Sequence, residues 1–273
     1  VVCSLIFARA SVMAQDTLHT GEFYVSVDGS DDAAGTENAP WRSIQIALDR
    51  ADAGSTIYVM EGVYNEFVRF PRSGSAEAGA ITLRDYPDHT PIIDGTDLPI
   101  EGEAGLIVIE DQDYINVIGF EVRNLKAGGN PDVFPAGIWV RGHGAFIEVR
   151  NNRVHDIENS CEACGAHGIA IYGRDPEASI NHLIIDNNEV YNGKFGWSES
   201  LVLNGNVEQF TVSNNRVHDN DNIGMDFIGH EGENPDRELD RARDGVVFGN
   251  HVYNIDTLEN PAYYGERSAG AIY

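Results

Sequence analysis

In this 273-residue chain Lys194, Tyr172 and His167 are candidates for moving protons. Lysine in a cleft loses part of its preference for the charged form and acts as a base, while Tyr172 or His167 is the alternative base or proton donor. Arg141 and Arg174 carry planar guanidinium groups that pair carboxylates in bidentate fashion. Asn204 and Asn206 add amide donors and acceptors, and Trp197 adds a flat apolar face. Asp221, Asp226 and Glu231 offer the hard oxygen ligands that suit Ca²⁺. Each has a plainer structural reading: Lys194 a solvated loop charge, Tyr172 an outward sheet residue, His167 a loop anchor, Trp197 a packing ring, and the acids a chance cluster in an acidic chain.

The spacing of these residues points to what must hold them. Arg141, Tyr172 and Asn204 are separated by 31 and 32 residues, and each follows a short apolar strand pattern: Gly137-Ile-Trp-Val-Arg, Gly168-Ile-Ala-Ile-Tyr, Ser200-Leu-Val-Leu-Asn. Gly105-Leu-Ile-Val-Ile and Gly224-Met-Asp-Phe-Ile extend the alignment. This puts Val108, Val140, Ile171, Leu203 and Phe227 in an inward column, with Trp139, Val202 and Asp226 outward beside Arg141, Tyr172 and Asn204. A second set, FIEVRNNRVHDI, LIIDNNEVYNG, FTVSNNRVHDN and VVFGNHVYNI, aligns on Asn152, Asn188, Asn215 and Asn250 at intervals of 36, 27 and 35 residues. Val154, Val190, Val217 and Val252 follow in one column, then His155, Tyr191, His218 and Tyr253, expected to stack at a corner. Asp156 and Asp219 serve turn geometry first. An earlier copy, INVIGFEVRNL, has Phe120 in the asparagine slot.

Repeats of this length signal a solenoid, and the alternation within each copy signals strands rather than helices. The fold expected is all-β, a single-stranded right-handed parallel β-helix. Its coils lie about 4.8 Å apart, so that the asparagines form a ladder. The segments NLKAGGNPDVFPA, ENSCEACGAH, GKFGWSE and NDNI enter the aligned strands, and are expected to wall a groove over the Arg141–Tyr172–Asn204 column.

Composition narrows the partners. The net charge is −26, with 44 acidic residues against 18 basic ones; that balance argues against nucleic acid and against anionic membranes. No stretch approaches the ~18 apolar residues of a spanning helix, so no membrane insertion is expected. Residues 1–14 read as a truncated signal peptide, which implies a secreted or periplasmic protein. Cys161 and Cys164 are expected to form a loop-stiffening disulfide. Residues 22–66 read as an N-terminal cap with the first strands, and 67–273 as β-helix coils. The chain stops at Ile272-Tyr273 as a new coil begins, so the intact protein is expected to continue. A capping helix is expected after Pro40, with Trp41, Ile44, Leu48 and Ala51 on one face and Gly54 at its end.

The opening FYVSVDGSDD…GT…PWRSIQIALDRADAGSTIYVMEGVYNE resembles the first module of bacterial pectin-lyase-like β-helix proteins. SESLVLNGNV, HDNDNIGMDFIGHEG and NPAYYGERSAGAIY resemble further segments, so the resemblance covers most of the chain. It implies a secreted, monomeric polysaccharide lyase that cleaves an acidic, uronate-containing polymer of the alginate or pectate kind by β-elimination. A non-catalytic carbohydrate-binding solenoid and a uronate C5-epimerase are the alternatives. Such a lyase must neutralise the uronate carboxylate, remove the C5 proton and protonate the leaving oxygen. The expected assignment is Lys194, Tyr172 and His167 as acid–base groups, and Arg141, Arg174, Trp197, Asn204 and Asn206 as substrate contacts. Calcium at Asp221, Asp226 and Glu231 would help an acidic protein hold an acidic polymer.

Overall fold

The alternating apolar runs become short strands, each hydrogen-bonded to its equivalent one repeat away, in a computed structural model that describes residues 18–273. The expected signal segment, 1–14, lies outside the described residues. Every strand pairing is parallel, and the strands wind into a right-handed β-helix with three faces. Face one holds Val68–Arg69, Gly102–Glu110, Val133–Gly142, His167–Gly173, the start of Leu201–Ser213, and Met225–Phe227. Face two runs from Glu22–Val25 through Ile81–Asp85 and Ile180–Asp186 to the latter part of Leu201–Ser213. Face three has seven strands, from Val63–Tyr64 to His251–Ile255.

Matching letters stack. Leu83, Val117, Val149, Ile185 and Val212 fill one inward column and Val122, Val154, Val190 and Val217 another, all fully buried. The asparagine ladder is continuous. Asn152 donates from N and Nδ2 to Asn188 Oδ1 at 3.0 and 3.1 Å, Asn188 does the same to Asn215 at 2.9 and 3.0 Å, and Asn215 to Asn250 at 2.9 Å twice. Phe120 starts the ladder by giving its backbone N–H to Asn152 Oδ1. Each amide thus satisfies buried polar groups that would otherwise be costly. The corner rings stack as expected, with centroid spacings of 4.6, 5.4 and 4.7 Å along His155–Tyr191–His218–Tyr253.

Glycine recurs at the start of the face-one strands because of a close approach across the coil. A Cβ on Gly137, Gly168 or Gly224 would lie 2.4, 2.3 or 2.4 Å from Val154, Val190 or Val252.

Two expectations need correction. The strand Gly102–Glu110 is shifted by one residue: Gly105 pairs with Ala136, Val108 with Trp139 and Ile109 with Val140. Val108 therefore points outward and Ile109 inward. The slip arose because this strand is apolar on both faces, which erases the period-2 signal. The cap helix spans Ile44–Arg50 and stops before Ala51, short of Gly54. Trp41 lies outside it, bridged to Val25, although Trp41, Ile44, Leu48 and Ala51 are all buried over the first coil. The helix begins where it does because Glu66 accepts the Ile44 and Gln45 N–H groups, a long-range cap invisible in local sequence.

Candidate functional site

Face one carries the outward columns in the expected register: Trp139–Ala170–Val202–Asp226, and Arg141–Tyr172–Asn204 beside it. They do not form an open floor. Val108, Ala136, Trp139, Ala170, Tyr172 and Val202 make a second small core outside the helix, with Phe134 and Ile228 packed against it. His167, Asn204 and Asn206 are buried with them.

Inside this layer His167 and Tyr172 meet. His167 Nδ1 lies 3.0 Å from the Glu199 carbonyl, which can only accept, so Nδ1 carries the proton. Nε2 is then left to accept the Tyr172 hydroxyl at 2.9 Å. Burial holds the imidazole down at about 4 and pushes the phenol up. The Glu199 carboxylate lies 3.7 Å from the same Nδ1. Its side chain is buried, and burial first, then the charges of Asp226 and Glu231, lift it to about 8. Burial and Glu231 lift Asp226 to about 6. At neutral pH the site therefore holds a neutral imidazole, a neutral phenol and a neutral carboxylic acid in contact.

The two arginines lie over the aromatic layer and are already paired. Arg174 sits 4.9 Å from the Tyr172 ring centroid and Arg141 5.6 Å from that of Trp139. Glu103 takes Arg174 at 2.6 and 2.8 Å and Arg141 at 3.1 Å. Glu110 takes Arg141 at 2.9 Å and Glu233 takes Arg174 at 2.7 Å. Burial alone would lower the Arg174 guanidinium, but Glu103 and Glu233 outweigh it; Arg174 in turn holds Glu103 below the usual carboxylate range.

Lys194 stands elsewhere. It is exposed in the turn after Glu189–Tyr191, where its backbone bridges to Glu158. It lines a separate cleft of about 510 Å³ with Asp156, Glu158, Asp219, Asp221, Asp256 and Glu259, and neither Tyr172, His167 nor Arg141 borders that cleft. The expected convergence of Lys194 with Tyr172 and Arg141 is therefore absent. The loop 192–199 turns the corner between the two places, with Lys194 near one end and Glu199 at the other.

The expected metal ligands are also divided. Asp221 accepts the Phe195 N–H at 2.7 Å in the Lys194 cleft, whereas Asp226 and Glu231 lie beside Glu199. Among the described residues, no three His, Cys, Asp or Glu side chains gather at a point that would hold a metal ion. Asn204 gives its Nδ2 to Glu231 at 3.3 Å, while its buried Oδ1 has no partner. Asn206 bridges the Asp175 carbonyl and Arg243. Trp197 is half exposed; its indole N–H donates to the Glu162 carbonyl and its ring lies 4.9 Å from Tyr263. Cys161 and Cys164 form a disulfide beside it.

Three buried asparagines staple the wall loops. Asn159 Nδ2 donates to the carbonyls of Asn130 and Val133, Asn222 to Gly196 and Ser198, and Asn260 to Gly196 and Asp221. Two of these staples fix the segment that ends in Glu199.

Comparison with known proteins places the fold. The family model described as "Pel9A-like, right handed beta helix region" matches residues 23–193. An uncharacterized protein of Bacillus subtilis, YwoF, is 38% identical over 251 residues, covering 92% of this chain and 52% of YwoF. The pectate lyase PEL9 of Emericella nidulans is 37% identical over 147 residues, covering 48% of this chain and 33% of PEL9. Among solved structures, a GH136 lacto-N-biosidase from Eubacterium ramulus superimposes with a TM-score of 0.62 at 17% identity, covering 76% of this chain and 42% of that one. The chain thus spans about half of one curated relative and a third of the other.

Proposed function

The chain belongs to the Pel9A-like right-handed β-helix family, and from that premise we propose that it acts on an acidic polysaccharide, cleaving uronate chains by β-elimination. The observation that carries this reading is the neutral His167–Tyr172–Glu199 set. Tyr172 takes the C5 proton while passing its own to His167 Nε2. Glu199 gives its proton to the departing glycosidic oxygen. The products of those transfers are an imidazolium and a carboxylate 3.7 Å apart, so each offsets the cost of burying the other's charge. Arg174 pairs the uronate carboxylate, where a fixed positive charge stabilises the negative charge that develops on the sugar. Arg141 and Trp139 hold the guanidinium layer in place. The polysaccharide lyase PEL9 is consistent with this chemistry by name; the fold shared with a lacto-N-biosidase carries none.

A second reading, calcium-assisted elimination, is favoured by the partnerless Asn204 Oδ1 beside Glu231. Glu199, Asp226, Glu231 and Asn204 offer hard oxygens suited to Ca²⁺. A calcium ion bound there would supply positive charge to the uronate carboxylate. These side chains would have to draw together to hold it. Ultraviolet absorbance of the unsaturated product, followed on pectate, alginate and glucuronan with and without a chelator, tests both readings. A rise on one polymer supports elimination, and its loss in chelator selects the calcium form. No rise on any polymer, or an altered uronate composition without cleavage, contradicts the lyase; the latter outcome indicates an epimerase.

A further inference from the structure

We infer that the segment 229–240 is a cover latched onto the site by its own carboxylate, and that Arg174 exchanges Glu233 for a carboxylate of the entering polymer. The inference rests on the uronate reading and gives that site its anion subsite and its gate.

The segment is built to move as one piece. An antiparallel bridge between Gly229 and Arg241 closes its base. The Asp240 carboxylate accepts the N–H groups of Gly232 and Asn234 at 2.7 and 3.0 Å, and the Asp240 carbonyl accepts that of His230 at 2.6 Å. Asn234 Oδ1 in turn accepts the Asp236 N–H. Against this internal network stand three polar ties to the site, while Arg241 and Arg243 of the adjoining strand hold the Glu238 and Leu239 carbonyls near its base. Glu233 pairs with Arg174 Nε at 2.7 Å, Asn234 Nδ2 donates to the Asp175 carbonyl at 2.7 Å, and Glu231 accepts from Asn204 at 3.3 Å. Gly229 stands at the base of the segment, and Gly232, between the Glu231 and Glu233 ties, is in the left-handed region at φ +92° with open space around it. Such positions absorb hinge rotation.

The latch is tuned to charge. Glu103 belongs to the rigid strand Gly102–Glu110 and holds both arginines, whereas Glu233 reaches Arg174 from the cover through one nitrogen. Replacing Glu233 with a uronate carboxylate leaves the count of charges on Arg174 unchanged. A neutral sugar has nothing to exchange, so opening for it would strip a half-buried guanidinium of a partner. A ligand shifts a two-state element only by its differential affinity for the two states, and here that difference is the carboxylate. Selection of acidic over neutral chains thus occurs at the cover, before chemistry.

The test compares galacturonan oligomers with their methyl esters, which share a backbone and differ in charge. Calorimetry on the full chain should show Glu233→Gln binding the acid oligomer about five- to tenfold more tightly than wild type, within the usual range of coupling between sites, with the ester weak in both. Spin labels at Arg237→Cys and Lys126→Cys, in a Cys3→Ser background, should report a longer distance on adding the acid oligomer and none on adding the ester. Acid binding that is indifferent to Glu233→Gln, or a fixed label distance in saturating oligomer, overturns the latch alone. Failure of galacturonan and alginate oligomers alike to bind either form overturns the uronate reading, and the latch with it.

Discussion

The loop 192–199 joins two regions that differ in kind. At one end, Lys194 sits in an open cleft among six carboxylates. Within that cleft burial lifts Asp221 to about 6 against the pull of the Phe195 N–H and Lys194, and the His218 ring holds Asp219 below the usual carboxylate range. At the other end, Glu199 lies in a dry layer where His167 and Tyr172 are also neutral. The cleft is open to solvent, but the sealed layer holds a proton donor and acceptor at hydrogen-bond distance, with pKa values moved so as to favour the uncharged forms. Burial tunes acid–base groups, whereas charge in an open cleft is screened.

The largest expected effect breaks this contrast directly. Glu199→Gln should lower kcat by about 10²–10⁴, the usual range for a positioned acid, while Lys194→Ala should leave it within about twofold; comparable losses in both would erase the distinction. The same Glu199 substitution should raise stability in alkali. A carboxyl whose folded pKa is raised contributes stability below its ordinary value of 4.5, and that stability is lost as pH rises through about 8. Urea unfolding above that pH should find the glutamine variant more stable than wild type, the pattern of a residue that serves activity at some cost to the fold.

Next in size is the pH profile. His167 must be unprotonated and Glu199 protonated, so kcat/KM should be bell-shaped with limbs near 4 and 8. Tyr172→Phe should remove most of the rate without moving thermal stability by more than about 1–3 kcal/mol, the cost of one unpaired buried group. A profile with no acid limb near 4 and no alkaline limb near 8 would place the chemistry outside the sealed layer.

The smallest expected effect concerns the loop itself. Asn222→Ala leaves the Ser198 carbonyl without its donor and the Gly196 carbonyl with Asn260 alone, and should cost about 1–3 kcal/mol of stability. It should also lower kcat more than Lys194→Ala does, because it loosens the end of the loop that carries Glu199.

What was legible in the chain follows the same division. Inward columns and the asparagine ladder were readable because stacked copies repeat the same letters at the same offsets. The outward column from Arg141 to Asn204 was readable for the same reason. The pairing of His167 with Tyr172 was not legible, since five residues along a regular strand set two side chains on opposite faces; only the folded protein shows the hydroxyl 2.9 Å from the imidazole. The rest depended on contacts that the repeat does not encode. Glu103 and Glu233 reach Arg174 from 71 and 59 residues away, and neither lies in an aligned column. Glu199 stands in GKFGWSES beside Ser200, but its role comes from burial, and burial on the outer face comes from Phe134, Ile228 and the cover. Lys194 stands in the wall segment GKFGWSE, but membership of that segment says nothing about which side of the corner a loop residue faces.

The central claim is that Glu199 is a neutral acid in the resting protein. Carbon-13 NMR of the glutamate side-chain carboxyls, titrated in wild type and in Glu199→Gln, tests this without any substrate. The account predicts one resonance that titrates near 8 and is missing from the variant. A Glu199 resonance titrating near 4.5, like an ordinary exposed glutamate, would contradict it.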